Sequence, residues 1–258
     1  MEKNHGISTS SERPYKWTLE GSRRLWDCYA RRTIESAEPS GFYPQDFYVQ
    51  VLKAASRWLR GKSKALDLGC STGTLAGLLL RRGWEVYGTD LQKEVILLLR
   101  RRFEGKSSKP YLTVNHPKSL PFEAMSFDVV FCTEVLEHML DEDRLEMLKE
   151  VRRILRPGGV LVATTPYKER LNTVICPNCY TSFHPMGHVH SVDEKIAKAW
   201  LEDSSLQAIG EKTFPLIIKR EEDGVSYRLL KEVTRLLFRR VLVGRFSSIL
   251  CFVGKRVS

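Results

Sequence analysis

Between residues 64 and 165, short apolar runs alternate with stretches in which apolar residues recur every three or four positions. The runs have the length of buried strands, and the stripes have the period of helices packed on them. The pattern predicts strands at Lys64–Leu68, Glu85–Thr89, Tyr111–Val114, Phe127–Thr133 and Val160–Thr165. Between them it predicts helices at Gly73–Arg82 (capped by Gly83), Gln92–Phe103 and Asp141–Leu155. Leu145, Leu148, Val151, Ile154 and Leu155 share one face of the last, and Pro157-Gly158-Gly159 reads as a turn into the fifth strand. Upstream, Phe47, Val51, Leu52, Ala55 and Leu59 mark a helix from Pro44-Gln45 to Arg60, stopped by Gly61. Downstream come a helix near Asp193–Glu202, a strand near Gln207–Thr213, a helix at Val225–Leu242 and a last strand at Ser248–Val253. Strands alternating with helices imply an α/β, doubly wound, mostly parallel sheet, whose ligands bind at the carboxyl ends of the strands.

The stretch Ala65–Leu80, ALDLGCSTGTLAGLLL, is where that geometry first becomes chemistry. A strand ends, a turn of small residues follows, and a helix begins. Such a glycine turn lets a backbone approach a nucleotide-like ligand closely. The turn lacks the Lys-Ser/Thr of a triphosphate loop. Its Gly-x3-Gly spacing also argues against a dinucleotide pyrophosphate and hence against an NAD-dependent dehydrogenase. Asp67 before the turn suits a cationic ligand. Asp90, at the end of the second strand and 17 positions beyond Gly73, offers two acceptor oxygens to the two hydroxyls of a ribose.

Composition narrows this further. A chain of 258 residues accommodates one large α/β domain with additions. No apolar run reaches the ~18 residues of a membrane span, and residues 1–16 lack the apolar core of a secretory signal. The six cysteines do not form a disulfide framework, so the expected compartment is the reducing cytoplasm. The net charge of +10 is spread along the chain and permits a nucleic-acid partner without marking one.

The ordered strings ALDLGCSTGTLAGLL, VYGTDL, LPFEAMSFDVVFCTEVLEHM and LRPGGVLVATTP resemble the motifs of class I S-adenosylmethionine-dependent methyltransferases. The resemblance covers about residues 45–213. It implies a Rossmann-like fold with a seven-stranded sheet and S-adenosylmethionine as cofactor. By that resemblance Asp67, Gly69, Cys70, Ser71 and Gly73 hold the amino-acid end of the cofactor, with Thr133 beside it. Asp90 holds the ribose and Leu91 packs on the adenine. Two positions depart from the pattern. Ser71 replaces a common glycine, which a negative φ would accommodate, and His116 replaces an acid that binds the adenine amino group.

Two further clusters concern the acceptor. Thr133-Glu134-Val135-Leu136-Glu137-His138 closes the fourth strand. A helical turn there would bring Glu134, Glu137 and His138 to one face, a set that suits a divalent metal or leaves His138 as a base. The ExxEH string is similar to that of ubiquinone-pathway O-methyltransferases and small-RNA 2′-O-methyltransferases. The alternative is that Glu134 caps a helix while Glu137 and His138 pair. The second cluster is Cys176-x2-Cys179-x4-His184-x3-His188, which has the spacing of a zinc knuckle, with His190 as a substitute ligand. Alternatively the cluster is a plain loop, or it splits and sends His188 or His190 to the Glu134, Glu137 and His138 face.

The expected organisation is therefore a tail and N-terminal helical cap over residues 1–44, then a methyltransferase domain over 45–258. Aromatic residues Trp17, Trp26, Tyr29, Phe42 and Tyr43 would cover the mouth of the site. The domain contains the Cys/His-rich insertion 167–192 and the basic amphipathic helix 225–242. That helix packs on the domain or contacts an anionic membrane. The expected activity is O-methylation of a small-molecule or glycan/lipid-linked acceptor. The alternatives are RNA 2′-O-methylation and a non-catalytic, zinc-stabilised interaction protein.

Overall fold

A computed structural model describes residues 21, 24–29, 31, 43–114, 116, 118–176, 180, 182–216 and 248–257. Cys179 and the whole of the 225–242 segment lie outside these described residues.

The sheet runs β1 Lys64–Leu68, β2 Glu85–Asp90, β3 Tyr111–Val114, β4 Phe127–Thr133 and β5 Leu155–Pro166, and closes with β8 Gln207–Pro215 and β9 Ser248–Lys255. Its seven strands lie in the order β3-β2-β1-β4-β5-β9-β8. The pairs among β1 to β5 are parallel, whereas β9 is antiparallel to both β5 and β8. The order reverses between β1 and β4, so a crevice opens at the carboxyl ends of those two strands. A separate hairpin, β6 Val174–Ile175 with β7 Ser182–Phe183, stands within the 167–192 insertion.

Alternation along the strands assigns each side chain to a face. Val129 and Phe131 of β4 join one apolar cluster with α1 Gln45–Ala54 and α2 Thr74–Leu80. Val130 and Cys132 join the opposite cluster, which includes Met147, Leu148 and Val151 of α4 Asp141–Ile154 and Trp200 and Leu201 of α5 Glu194–Asp203. Ile96 and Leu99 of α3 Lys93–Arg102 pack with the buried Cys70.

Several boundaries shift by one or two residues, and two differ by more. The first helix ends at Ala54, and a 3-10 turn over Ser56–Trp58 replaces its last turns. That tightening seats Trp58 against Gly210, where a Cβ would lie only 2.3 Å from the ring. Strand β5 begins at Leu155, which pairs with Phe127. Regular pairing then shifts register and resumes at Val129 and Val160. Pro157-Gly158-Gly159 therefore sits within β5, held by Gly158 N–H to Arg256 O (2.9 Å) and Arg256 N–H to Gly159 O (3.0 Å).

Candidate functional site

The glycine turn lies between β1 and α2, against the end of β2. Gly69 and Cys70 N–H both donate to Thr89 O at 2.9 Å. Gly69 has φ 79° and Gly73 φ 72°, which L side chains rarely adopt. Added Cβ atoms would meet Val135 and Leu99, each at 2.7 Å. Both glycines are thus required, and they keep the loop close to the sheet. The Cys70 thiol is turned inward to the Gly88 and Leu112 side.

Asp90 is oriented by the backbone. Ser71 N–H donates to Oδ2 and Gln92 N–H to Oδ1, each at 3.0 Å. Each oxygen retains acceptor capacity for a ribose hydroxyl. Ser71 reaches Asp90 with φ 43°, not the negative φ that its side chain prefers. Its bond to the carboxylate offsets that strain. Asp67 is buried, and burial together with the Asp90 charge pushes its carboxyl up to about 7. A cationic ligand would supply the missing counter-charge. Thr133 is buried at the end of β4, and Leu91 is half-buried after β2. His116 is exposed, so the acid's usual role at the adenine has no obvious substitute in its position.

The second group of candidate residues lies on the chain after β4. No α-helix forms at 134–138. Glu134 has φ 56° and donates its N–H to Thr164 O (3.0 Å), and Leu136–His138 make a 3-10 turn. Glu137 and His138 nonetheless meet, with Oε1 and Nε2 3.7 Å apart. Glu134 Oε2 accepts from Tyr43 O–H at 2.9 Å. Among the described residues, both Glu137 oxygens, Glu134 Oε1 and His138 Nδ1 are buried without a hydrogen-bond partner. Burial, reinforced by Glu134, pushes the Glu137 carboxyl well above its ordinary value. Burial raises Glu134 to about 7 and, with His188 and His184 nearby, holds His138 well below the usual imidazole value.

The 167–192 insertion supplies the remaining group. Glu137, His138 and His188 each place one ligand atom within 4.8 Å of the other two. His190 does not join them. Its Nε2 lies 2.9 Å from Met139 O and 3.0 Å from Arg144, and its ring stands edge-on to Trp200. His184 stacks on His188 at 4.8 Å, and the two share Glu169. Cys176 is half-buried at the root of the β6–β7 hairpin turn, where its O accepts from Tyr180 N–H (2.8 Å). It belongs to neither histidine group among the described residues. Among the described residues, which exclude Cys179, His188 and not His190 lies beside Glu137 and His138.

Glu169 was assigned no role from the sequence, and Tyr43 and Trp26 only a general place over the mouth of the site. Tyr43 holds Glu134, Glu169 holds His188, and the Trp26 ring meets His138 edge-on at 4.6 Å. Tyr29 O–H adds a bond to Pro185 O (3.2 Å), joining residues 24–29, which are helical, to the insertion. A signal for Glu169 was present, since it is the one acid in residues 167–192. Nothing local marked Glu134 as the partner of Tyr43 or His138 as that of Trp26.

Residues 66–163 match the family described as "Methyltransferase domain". The chain is similar to a ubiquinone biosynthesis O-methyltransferase of Psychrobacter arcticus, 36% identical over 119 residues, covering 44% of each chain. It is also 27% identical over 157 residues to the Coxiella burnetii protein of the same description, covering 58% of this chain and 66% of that one. The chain thus spans about half to two thirds of these curated relatives. A solved S-adenosylmethionine-dependent methyltransferase from Methanosarcina mazei superposes with TM-score 0.58 at 18% identity, covering 78% of this chain and 96% of that one. That likeness establishes the fold.

Proposed function

We propose that this chain, which carries a class I S-adenosylmethionine-dependent methyltransferase domain, methylates a hydroxyl oxygen of a small-molecule or glycan/lipid-linked acceptor with help from a divalent metal. The observation that carries the metal reading is Glu137. It is 1% exposed, and neither carboxylate oxygen has a hydrogen-bond partner among the described residues, yet two imidazoles face it. An unpaired buried carboxylate is costly unless a cation completes it.

The residues fit both groups. Asp67 faces the ammonium of the cofactor, the Gly69–Gly73 turn takes its amino-acid end, and Asp90 accepts from the ribose. Bound S-adenosylmethionine supplies an electrophilic methyl on a sulfonium. Glu137, His138 and His188 form a mixed oxygen and nitrogen set suited to magnesium, manganese, iron or zinc, while Glu134, bonded to Tyr43, is not in that group. Such an ion lowers the pKa of an acceptor hydroxyl. Trp26 over His138 and the insertion beside it exclude water and hold the acceptor in line, where alignment supplies most of the rate.

A 2′-hydroxyl of RNA is the second reading, supported by His188 arriving from a downstream loop. Zinc at Cys176, Cys179, His184 and His188 is the less favoured use of the insertion, because His188 is turned to the ExxEH face. The domain's test is transfer of labelled methyl to a panel of phenols, lipid-linked glycans and short RNA, with Mn²⁺ or with chelator. Metal-dependent labelling of a small hydroxyl compound is expected. Labelling of RNA alone would replace the first acceptor class by the second, and no labelling despite cofactor uptake would favour a non-catalytic role.

A further inference from the structure

The insertion places a carboxylate directly behind His188. His188 Nδ1 and Glu169 Oε2 form a short hydrogen bond. Glu169 also lies 3.9 Å from His184 Nε2. The contact is anchored at both ends of the loop: Tyr167 bridges to Val192, and Lys168 N–H donates to Val192 O at 2.8 Å. Glu169 therefore faces the histidines through fixed backbone.

The hydrogen bonds assign the tautomers. His184 Nδ1 accepts from the His188 backbone N–H at 3.2 Å, so a neutral His184 carries its proton on Nε2. That nitrogen then has no lone pair for a metal, and it lies 3.9 Å from Glu169, beyond hydrogen-bond reach. Glu169 is hydrogen-bonded to His188 and His184 to the His188 backbone, which makes the three a support for His188 and not a second metal site. His188 directs its Nδ1 proton at Glu169, and its other ring nitrogen is the one that the metal reading assigns to the ion.

We propose that Glu169 is a positioning residue that fixes the tautomer and ring orientation of His188 for a divalent cation held with Glu137 and His138. The assignment rests on the metal reading above. A carboxylate behind a ligating histidine orients the ring and raises its basicity, and loss of such a partner weakens metal binding about 10–100-fold.

The test is Mn²⁺ titration of the full chain, followed by calorimetry and electron paramagnetic resonance, for wild type, Glu169→Ala, Glu169→Gln and Glu137→Gln. Wild type should bind Mn²⁺ and Glu137→Gln should lose it. Glu169→Ala should bind about 10–100-fold more weakly. Glu169→Gln, which keeps an acceptor oxygen for the Nδ1 proton, should fall between. Wild-type affinity in Glu169→Ala overturns the proposal while leaving the metal reading intact. Absence of Mn²⁺ uptake by wild type overturns the metal reading and this assignment with it. Imidazole ¹⁵N spectra of the metal-free protein give a second readout: a His188 proton on Nδ1 in wild type that redistributes to Nε2 in Glu169→Ala. A wild-type proton on Nε2 also overturns the proposal. S-adenosylhomocysteine binding reports whether each variant is folded, and Glu169→Gln carries the test if Glu169→Ala is not.

Discussion

Tyr43 O–H donates to Glu134 Oε2 at 2.9 Å, tying the residue before α1 to the chain leaving β4. The two lie 91 positions apart, and the bond joins the N-terminal segment to the acceptor side of the site. Burial and the neighbouring carboxylates push the tyrosine hydroxyl far up, so it acts here as a donor and not as a base.

Tyr43→Phe removes that donor while keeping the ring stacked on Phe47 at 4.4 Å. Glu134 would then be buried with neither oxygen paired. The expected cost is about 1–3 kcal/mol of stability, read from denaturant midpoints. Cofactor affinity should hold, because Asp67 and Asp90 are untouched. An unchanged midpoint would show that the bond carries no weight.

Asp90→Ala should weaken S-adenosylhomocysteine binding by about 100-fold or more, since both ribose hydroxyls lose a charged acceptor. Calorimetry checks this directly. Normal affinity would place the cofactor elsewhere on the sheet.

Asp67 sets a pH dependence. Its carboxyl stands at about 7 in the fold against an ordinary 3.8, and Glu134 at about 7 against 4.5. Folded values above unfolded ones mean that the stability contributed by both groups is complete below pH ~4 and is lost as pH rises through ~7. His138, held low by burial, acts in the opposite sense at acid pH. The cofactor's ammonium should offset the Asp67 part, so the rise in Tm caused by S-adenosylhomocysteine should grow between pH 5 and 8. Asp67→Asn should flatten that rise. A ligand-induced shift independent of pH in wild type would contradict the assignment.

Gly73→Ala probes the cradle itself. The new Cβ would sit 2.7 Å from Leu99 Cδ2 at φ 72°. The left-handed conformation costs an L residue roughly 1–2 kcal/mol, and crowding α3 adds to it. A fall in stability and in cofactor affinity is expected, and full retention of both would mean that the turn tolerates a side chain.

The strands β1 and β4 were legible to the residue, because a buried parallel strand is a short apolar run bounded by turn residues, and the exposed edge strand β3 was legible from its β-branched and aromatic residues. The glycine turn and Asp90 were legible for a related reason. Positive φ, close approach and a strand-end acid are local demands that restrict the residue type at one position. Ser71 was the exception, since a hydrogen bond from 19 positions away pays for its φ. What the tertiary structure alone decided was pairing between distant segments. Spacing could not choose between His188 and His190, because both leave one loop within three positions. The choice follows from the way Val189 N–H docks on Glu137 O at 2.8 Å, sending His188 to Glu137 and His190 to Met139. The same holds for Tyr43 on Glu134, Glu169 on His188 and β9 inserted antiparallel between β5 and β8. Local sequence sets backbone conformation and the buried face of each element. Which polar groups meet across the crevice depends on how those elements pack in three dimensions, and no periodicity records it.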